Sequence, residues 1–101
     1  MLEVIRNKQA DQIDYILYGE LDMASCEELE EALHYDDLDN ITKVQLYLSN
    51  LEFIDSTGIG QLIKYYRQYS SQNISMELVN ENPEIEEILQ LIGLREIIGY
   101  G

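Results

Sequence analysis

The chain has 101 residues, enough for one domain built around a single core. Its 20 acidic side chains outnumber 6 basic ones for a formal net charge of -14, which excludes nucleic acid and disfavours an anionic membrane surface as partners. A basic protein surface would be drawn in, and the lone Cys26 excludes an internal disulfide and a cysteine-based zinc cluster.

Leu2 to Lys8 and Ile13 to Gly19 are β-leaning runs joined by a short polar connection, which predicts an antiparallel hairpin. Tyr15, Ile16, Leu17 and Tyr18 are all apolar or aromatic, as in an internal strand covered on both faces. Gly19-Glu20-Leu21-Asp22 then turns the chain into a helix from about Ser25 to Tyr35, with Ser25 and Glu28 at capping-box spacing. Cys26, Leu29, Ala32 and Leu33 form its inward stripe, and Glu27, Glu28, Glu30 and Glu31 a solvated face. After a polar loop over Asp36 to Asn40, Lys43 to Leu48 alternates as a third strand.

The most informative stretch is Leu51 to Ile63, where a strand-like approach meets Asp55-Ser56-Thr57-Gly58 and then a helical pattern of Ile59, Leu62, Ile63, Tyr66 and Tyr69. Ser56 therefore falls at a helix N-terminus, whose unpaired N–H groups and positive dipole end favour an anionic group. The serine is either the cap or a place where a phosphate is added. Gly58 and Gly60 in the first turn each cost up to about 1 kcal/mol relative to alanine, so they serve either to open the approach to Ser56 or to pack against a strand. Tyr65 falls off the stripe, either as an exposed partner anchor or at the core boundary.

Beyond Ser70 to Asn73, Ile74 to Val79 makes a fourth strand, and Asn82-Pro83 starts a last long helix that buries Ile85, Ile88, Leu89 and Ile92. Gly93 stops it, and Leu94, Ile97 and Ile98 need cover from a short terminal helix or strand. The order β-β-α-β-α-β-α implies an α/β domain over 1–101, with a mixed sheet of an antiparallel opening hairpin and parallel right-handed crossovers, packed with three or four helices.

No catalytic or metal-binding constellation stands out. His34 is the only histidine, at the end of the first helix, and Asp22 and Asp55 are explained more simply as turn and cap residues than as an acid/base pair. The chain reads as a binding module without a cofactor, not as an enzyme. Met1 to Lys8 lacks an apolar run of signal-peptide length and no later stretch approaches a membrane span, so a cytoplasmic protein is expected.

Leu48 to Gly60, with Gly19-Glu20-Leu21-Asp22 before it and Leu89-Gln90-Leu91-Ile92-Gly93-Leu94 after it, resembles the STAS domain of bacterial anti-sigma factor antagonists, in the family's order over nearly the whole chain. The resemblance implies a STAS-like fold with the Asp22 loop beside Ser56. It implies phosphorylation of Ser56, with Thr57 as second choice, by an anti-sigma factor that is itself a serine kinase of the HATPase type, and reversal by a serine phosphatase. Asp22, Asp55, Ser56, Thr57, Gly58, Ile59 and Gly60 are then the expected partner-binding set. A STAS subunit acting as a structural partner of a lipid-transport ATPase is the alternative. Ser25 and Cys26 stand where the family pattern has a threonine, and Arg95-Glu96-Ile97-Ile98 follows its ending only loosely.

Overall fold

Four strands form one mixed sheet in the order β1-β2-β3-β4, and the computed structural model that shows it describes residues 1–34 and 38–98. Strands β1 (Leu2–Gln9) and β2 (Gln12–Leu21) pair antiparallel, whereas β3 (Lys43–Ile54) and β4 (Ser75–Val79) join in parallel. Helices α1 (Cys26–His34), α2 (Ser56–Ser71) and α3 (Pro83–Leu91) follow β2, β3 and β4, and a single turn, α4 (Leu94–Ile97), ends the fold. The mixed α/β architecture expected from the element order is the one observed.

The strands bury one face of the sheet. Ile13, Tyr15 and Leu17, Val44, Leu46 and Leu48, and Met76 and Leu78 are all buried beneath the helices, and each fully buried leucine stabilises the domain by about 1.5–3 kcal/mol. The opposite face is open. β2 is internal as expected, but it is not covered on both faces, since Ile16 is half-buried and Tyr18 exposed. A polar ladder serves that face: the Gln12 amide donates to Asp14 and Gln45, and the Gln45 amide donates to Glu77, at 2.7 to 3.1 Å.

Several boundaries differ from expectation. β3 runs unbroken six residues beyond Leu48, to Ile54, because Leu51 and Ile54 still reach the core. Gly19 is not a turn; it lies within β2 at φ +101, where the register with β3 slips. α1 starts at Cys26, with Leu29 and Leu33 buried and Cys26 and Ala32 only half-buried. Tyr35 and the loop residues Asp36 and Asp37 lie outside the described residues.

On α2 the buried stripe is Ile59, Leu62, Tyr65 and Tyr69, with Gly58 and Gln61, so Tyr65 faces inward and Tyr66 and Ile63 are half-buried. Tyr65 is therefore no exposed anchor. Its burial, with Glu30 and Cys26 nearby, pushes its hydroxyl above the ordinary range.

The α3 start is as expected: the Asn82 side chain accepts from the Glu84 N–H at 3.0 Å, and Pro83 occupies the first turn. Ile85 and Leu89 are buried and Ile88 half-buried, but Ile92 is exposed, because it is the C-cap and the chain leaves through Gly93 at φ +76. α4 then buries Leu94, with Ile98 behind it, and leaves Ile97 exposed.

Candidate functional site

β2 and β3 run in parallel and end side by side, with Leu21 opposite Ile54. The segments that follow them, starting at Asp22 and Asp55, are therefore neighbours, and the Asp55 N–H donates to the Leu21 carbonyl at 3.2 Å. This is the carboxyl end of the parallel strands, where open α/β sheets place their binding sites.

Asp55 is the N-cap of α2. Its extended backbone turns the chain into the helix, and one carboxylate oxygen accepts from the Gly58 N–H at 3.0 Å. The other oxygen accepts from the Met23 N–H at 3.3 Å, so a single side chain holds both segments. Ser56 is consequently not the cap. It is the first helical residue, with an exposed side chain at the positive end of a 16-residue helix. Thr57 beside it is half-buried.

Asp22 is the N-cap of a 3-10 turn, Met23–Ser25. The Ser25 N–H donates to the Asp22 carboxylate at 3.1 Å and the Asp22 N–H donates to Ser25 Oγ at 2.9 Å. The buried Ser25 hydroxyl also donates to the Glu20 carbonyl at 2.7 Å. The capping box is thus Asp22 with Ser25. Glu28, expected to complete a box with Ser25, instead accepts from the Leu2 N–H at 2.8 Å. Asp22 carries a structural duty that accounts for its presence without a partner.

The two glycines separate cleanly. A side chain at Gly58 would overlap the Leu21 carbonyl oxygen and lie 2.9 Å from Leu21 Cγ, so this glycine is a packing requirement rather than an opening towards Ser56. Gly60 has no atom within 4 Å of where its Cβ would stand. It leaves open space one helical turn beyond Ser56. Ile59 points into the core. Of the seven expected contact residues, Gly58 and Ile59 are therefore interior, Asp22 and Asp55 hold the turns, and Ser56, Thr57 and Gly60 form the accessible surface.

Two residues of this site, Met23 and Gln61, were not anticipated, nor was the exposure of Phe53 beside it. Met23, on the 3-10 turn, is 74% exposed, and Phe53, opposite Glu20 and next to the buried Ile54, is 49% exposed on the open face of the sheet. Buried Gln61 donates its amide to the Cys26 carbonyl at 2.9 Å, tying α1 to α2. A phenylalanine in an apolar strand reads as core, and nothing in a helical pattern marks a glutamine for burial.

A family profile described as the STAS domain matches residues 5–100. The chain belongs to the STAS domain family. A relative from Listeria monocytogenes named "Anti-sigma-B factor antagonist" is 22% identical over 94 residues, covering 93% of this chain and 82% of its own length. The structure of an anti-sigma factor antagonist from Mycobacterium paratuberculosis superposes with a TM-score of 0.86 at 21% identity, over 99% of this chain and 85% of that one. The Bacillus cell fate determinant SpoIIAA in its phosphorylated form superposes with a TM-score of 0.72 at 20% identity, over 98% of this chain and 91% of that one. No helix among the described residues of this STAS chain is long and apolar enough to cross a membrane.

Proposed function

We propose that this STAS domain is an anti-sigma factor antagonist whose binding is switched at Ser56. The observation that carries the reading is the division of labour at the α2 N-terminus. Asp55 supplies the cap, so the exposed Ser56 hydroxyl has no structural duty at a position where a helix favours added negative charge. The relatives' names supply the partner class.

Unphosphorylated, the domain binds an anti-sigma factor of the HATPase serine-kinase type and frees its sigma factor. The kinase transfers the γ-phosphoryl group of ATP to Ser56 Oγ, with loss of the hydroxyl proton and release of ADP, and the complex dissociates. A serine phosphatase hydrolyses the ester to restore the hydroxyl and inorganic phosphate. The domain contributes no catalytic group to either step, so it is a substrate and binding partner in the cytoplasm and not an enzyme. The transport-subunit alternative gains nothing from the Listeria and Mycobacterium relatives, which are named as antagonists.

Capture from cytoplasm of the source cell with wild type, Ser56→Ala and Ser56→Asp, followed by incubation of the captured partner with ATP, tests the reading. Wild type and Ser56→Ala should retain a kinase-type anti-sigma factor, Ser56→Asp should not, and phosphate should appear on Ser56 in the wild type alone. Equal capture by all three, or a phosphate that persists in Ser56→Ala, would overturn it.

A further inference from the structure

The open face of the sheet is polar at one end only. There the ladder of Gln12, Asp14, Gln45 and Glu77 satisfies its own groups, and Lys43 adds an ion pair to Glu77 at 3.3 Å. The next row across the four strands is apolar: Ile5 pairs with Ile16, Ile16 with Tyr47, and Tyr47 with Val79. Tyr18 lies two residues along β2 from Ile16 on the same face, and Phe53, opposite Glu20, stands diagonal to Tyr18. Ile5, Tyr18 and Phe53 are 45%, 38% and 49% exposed, and Ile16, Tyr47 and Val79 are half-buried. A single exposed apolar side chain is ordinary, but a patch that spans every strand leaves continuous apolar surface in water.

The charges around the patch select its occupant. Glu3 is opposite Tyr18 and Glu20 opposite Phe53, while Asp14 and Glu77 lie in the ladder at the other side. Among the described residues of this face the one side-chain cation is Lys43, already held by Glu77, and Glu20 also accepts from the Met1 ammonium at 2.8 Å. A second copy stacked here would bring these carboxylates together between two chains of formal charge -14, which disfavours self-association. A protein surface with an apolar centre and a rim of lysine or arginine matches both the patch and its border.

We propose that this face, centred on Ile5, Ile16, Tyr18, Tyr47, Phe53 and Val79, docks a second protein with that surface. The docking face lies across the sheet from α2, whose first residue is Ser56. Its partner therefore stays bound whether or not Ser56 is modified, and the domain holds that partner while its helical side exchanges with the anti-sigma factor. The inference stands on the sheet alone and does not depend on the Ser56 reading.

The test places p-benzoylphenylalanine at Phe53 in the full chain, in wild-type and Ser56→Asp backgrounds, and at exposed Leu91 on α3 as a control. Each chain is irradiated in cytoplasm of the source cell. Position 53 should cross-link one protein other than this chain, through a segment rich in apolar residues and lysine or arginine. The product should be equal in both backgrounds and absent from position 91. With that protein purified, Ile5→Thr and Tyr18→Thr should each weaken binding about ten-fold at unchanged Tm, and added salt should weaken the wild-type complex. A cross-link to a second copy of this chain, an equal product from position 91, no product from position 53, or an affinity indifferent to the substitutions or to salt would overturn the inference. A product lost in Ser56→Asp would assign its protein to the helical side and overturn it as well, leaving the Ser56 reading standing.

Discussion

Gly58→Ala adds one methyl group at the tightest approach in the site. Its Cβ would overlap the Leu21 carbonyl oxygen and stand 2.9 Å from Leu21 Cγ and 3.0 Å from the Leu21 carbonyl carbon. The Leu21 side chain can rotate, but the carbonyl cannot move freely, because it also accepts from the Asp55 N–H at 3.2 Å. Overpacking of this kind costs about 1–3 kcal/mol. Weakening the Asp55 bond adds up to about 1 kcal/mol, and the higher helix propensity of alanine returns up to about 1 kcal/mol.

The balance is a net loss of about 2 kcal/mol, or roughly 8–16 °C in Tm for a domain of this size. Gly60→Ala is the matched control: with nothing within 4 Å, only the propensity term operates and stability should rise by up to about 1 kcal/mol. Urea unfolding and thermal melts of the two variants beside the wild type measure both signs. A Gly58→Ala protein as stable as Gly60→Ala would refute the packing argument and return Gly58 to the role of leaving Ser56 accessible.

Asp55→Ala should cost about 1–2 kcal/mol by removing the α2 cap, whereas Asp55→Asn keeps an oxygen for the Gly58 N–H but loses the acceptor for the Met23 N–H and should fall between Ala and the wild type; indistinguishable urea midpoints for Ala and Asn would contradict the capping geometry. Arg95 grips Glu86 through two bonds of 2.9 and 3.0 Å, and that contact, against the opposing effect of burial and helped by Asn80, holds the Glu86 carboxyl below its ordinary value of 4.5. A lowered folded-state value contributes stability above 4.5 that is lost as pH falls through the folded value, so the stability gap between wild type and Glu86→Gln should be full at neutral pH and shrink in acid. A gap of the same size at neutral pH and below pH 4, read from urea midpoints, would show that Glu86 does not titrate in this way.

What the sequence made legible was local. Asn82-Pro83 announces its helix because cap and first-turn residue act within one turn of chain, and each strand-helix-strand alternation returns the chain for a parallel pairing whose crossover is right-handed. What escaped depended on through-space partners. Ser25 stands three residues from both Asp22 and Glu28, and the choice is made by the Glu20 carbonyl, which holds the Ser25 hydroxyl on the Asp22 side, and by the Leu2 N–H, which engages Glu28. The α2 stripe was misphased at Tyr65 because burying Gln61 requires the Cys26 carbonyl as an acceptor, and that acceptor belongs to another helix. On β2, Ile16 and Tyr18 look like core by composition, yet Ile16 is only half-buried and Tyr18 exposed among the described residues. At the site, the Asp-Ser-Thr-Gly run revealed a helix start, but not that Asp55 would free Ser56 from capping or that Gly58 would meet Leu21.

The same division predicts that a phosphate at Ser56 should alter binding without unfolding the domain. At the first position of α2 the added charge gains about 0.3–2 kcal/mol from the helix dipole. It is repelled by the Asp55 carboxylate, whose two oxygens already accept from Gly58 and Met23, by an amount of similar order at a well-solvated surface, about 1–4 kcal/mol at 4 Å. These terms oppose each other, and none of the groups that hold the turns must move. A docked partner has no such compensation. A partner closing over the phosphate must pair or desolvate a bulky anion, at a cost of several kcal/mol where it is left unpaired. Ser56→Asp should therefore shift the partner titration far more than the melt, because the residues that keep the fold face inward and the residue proposed to carry the switch faces out; an equal shift in both would refute this.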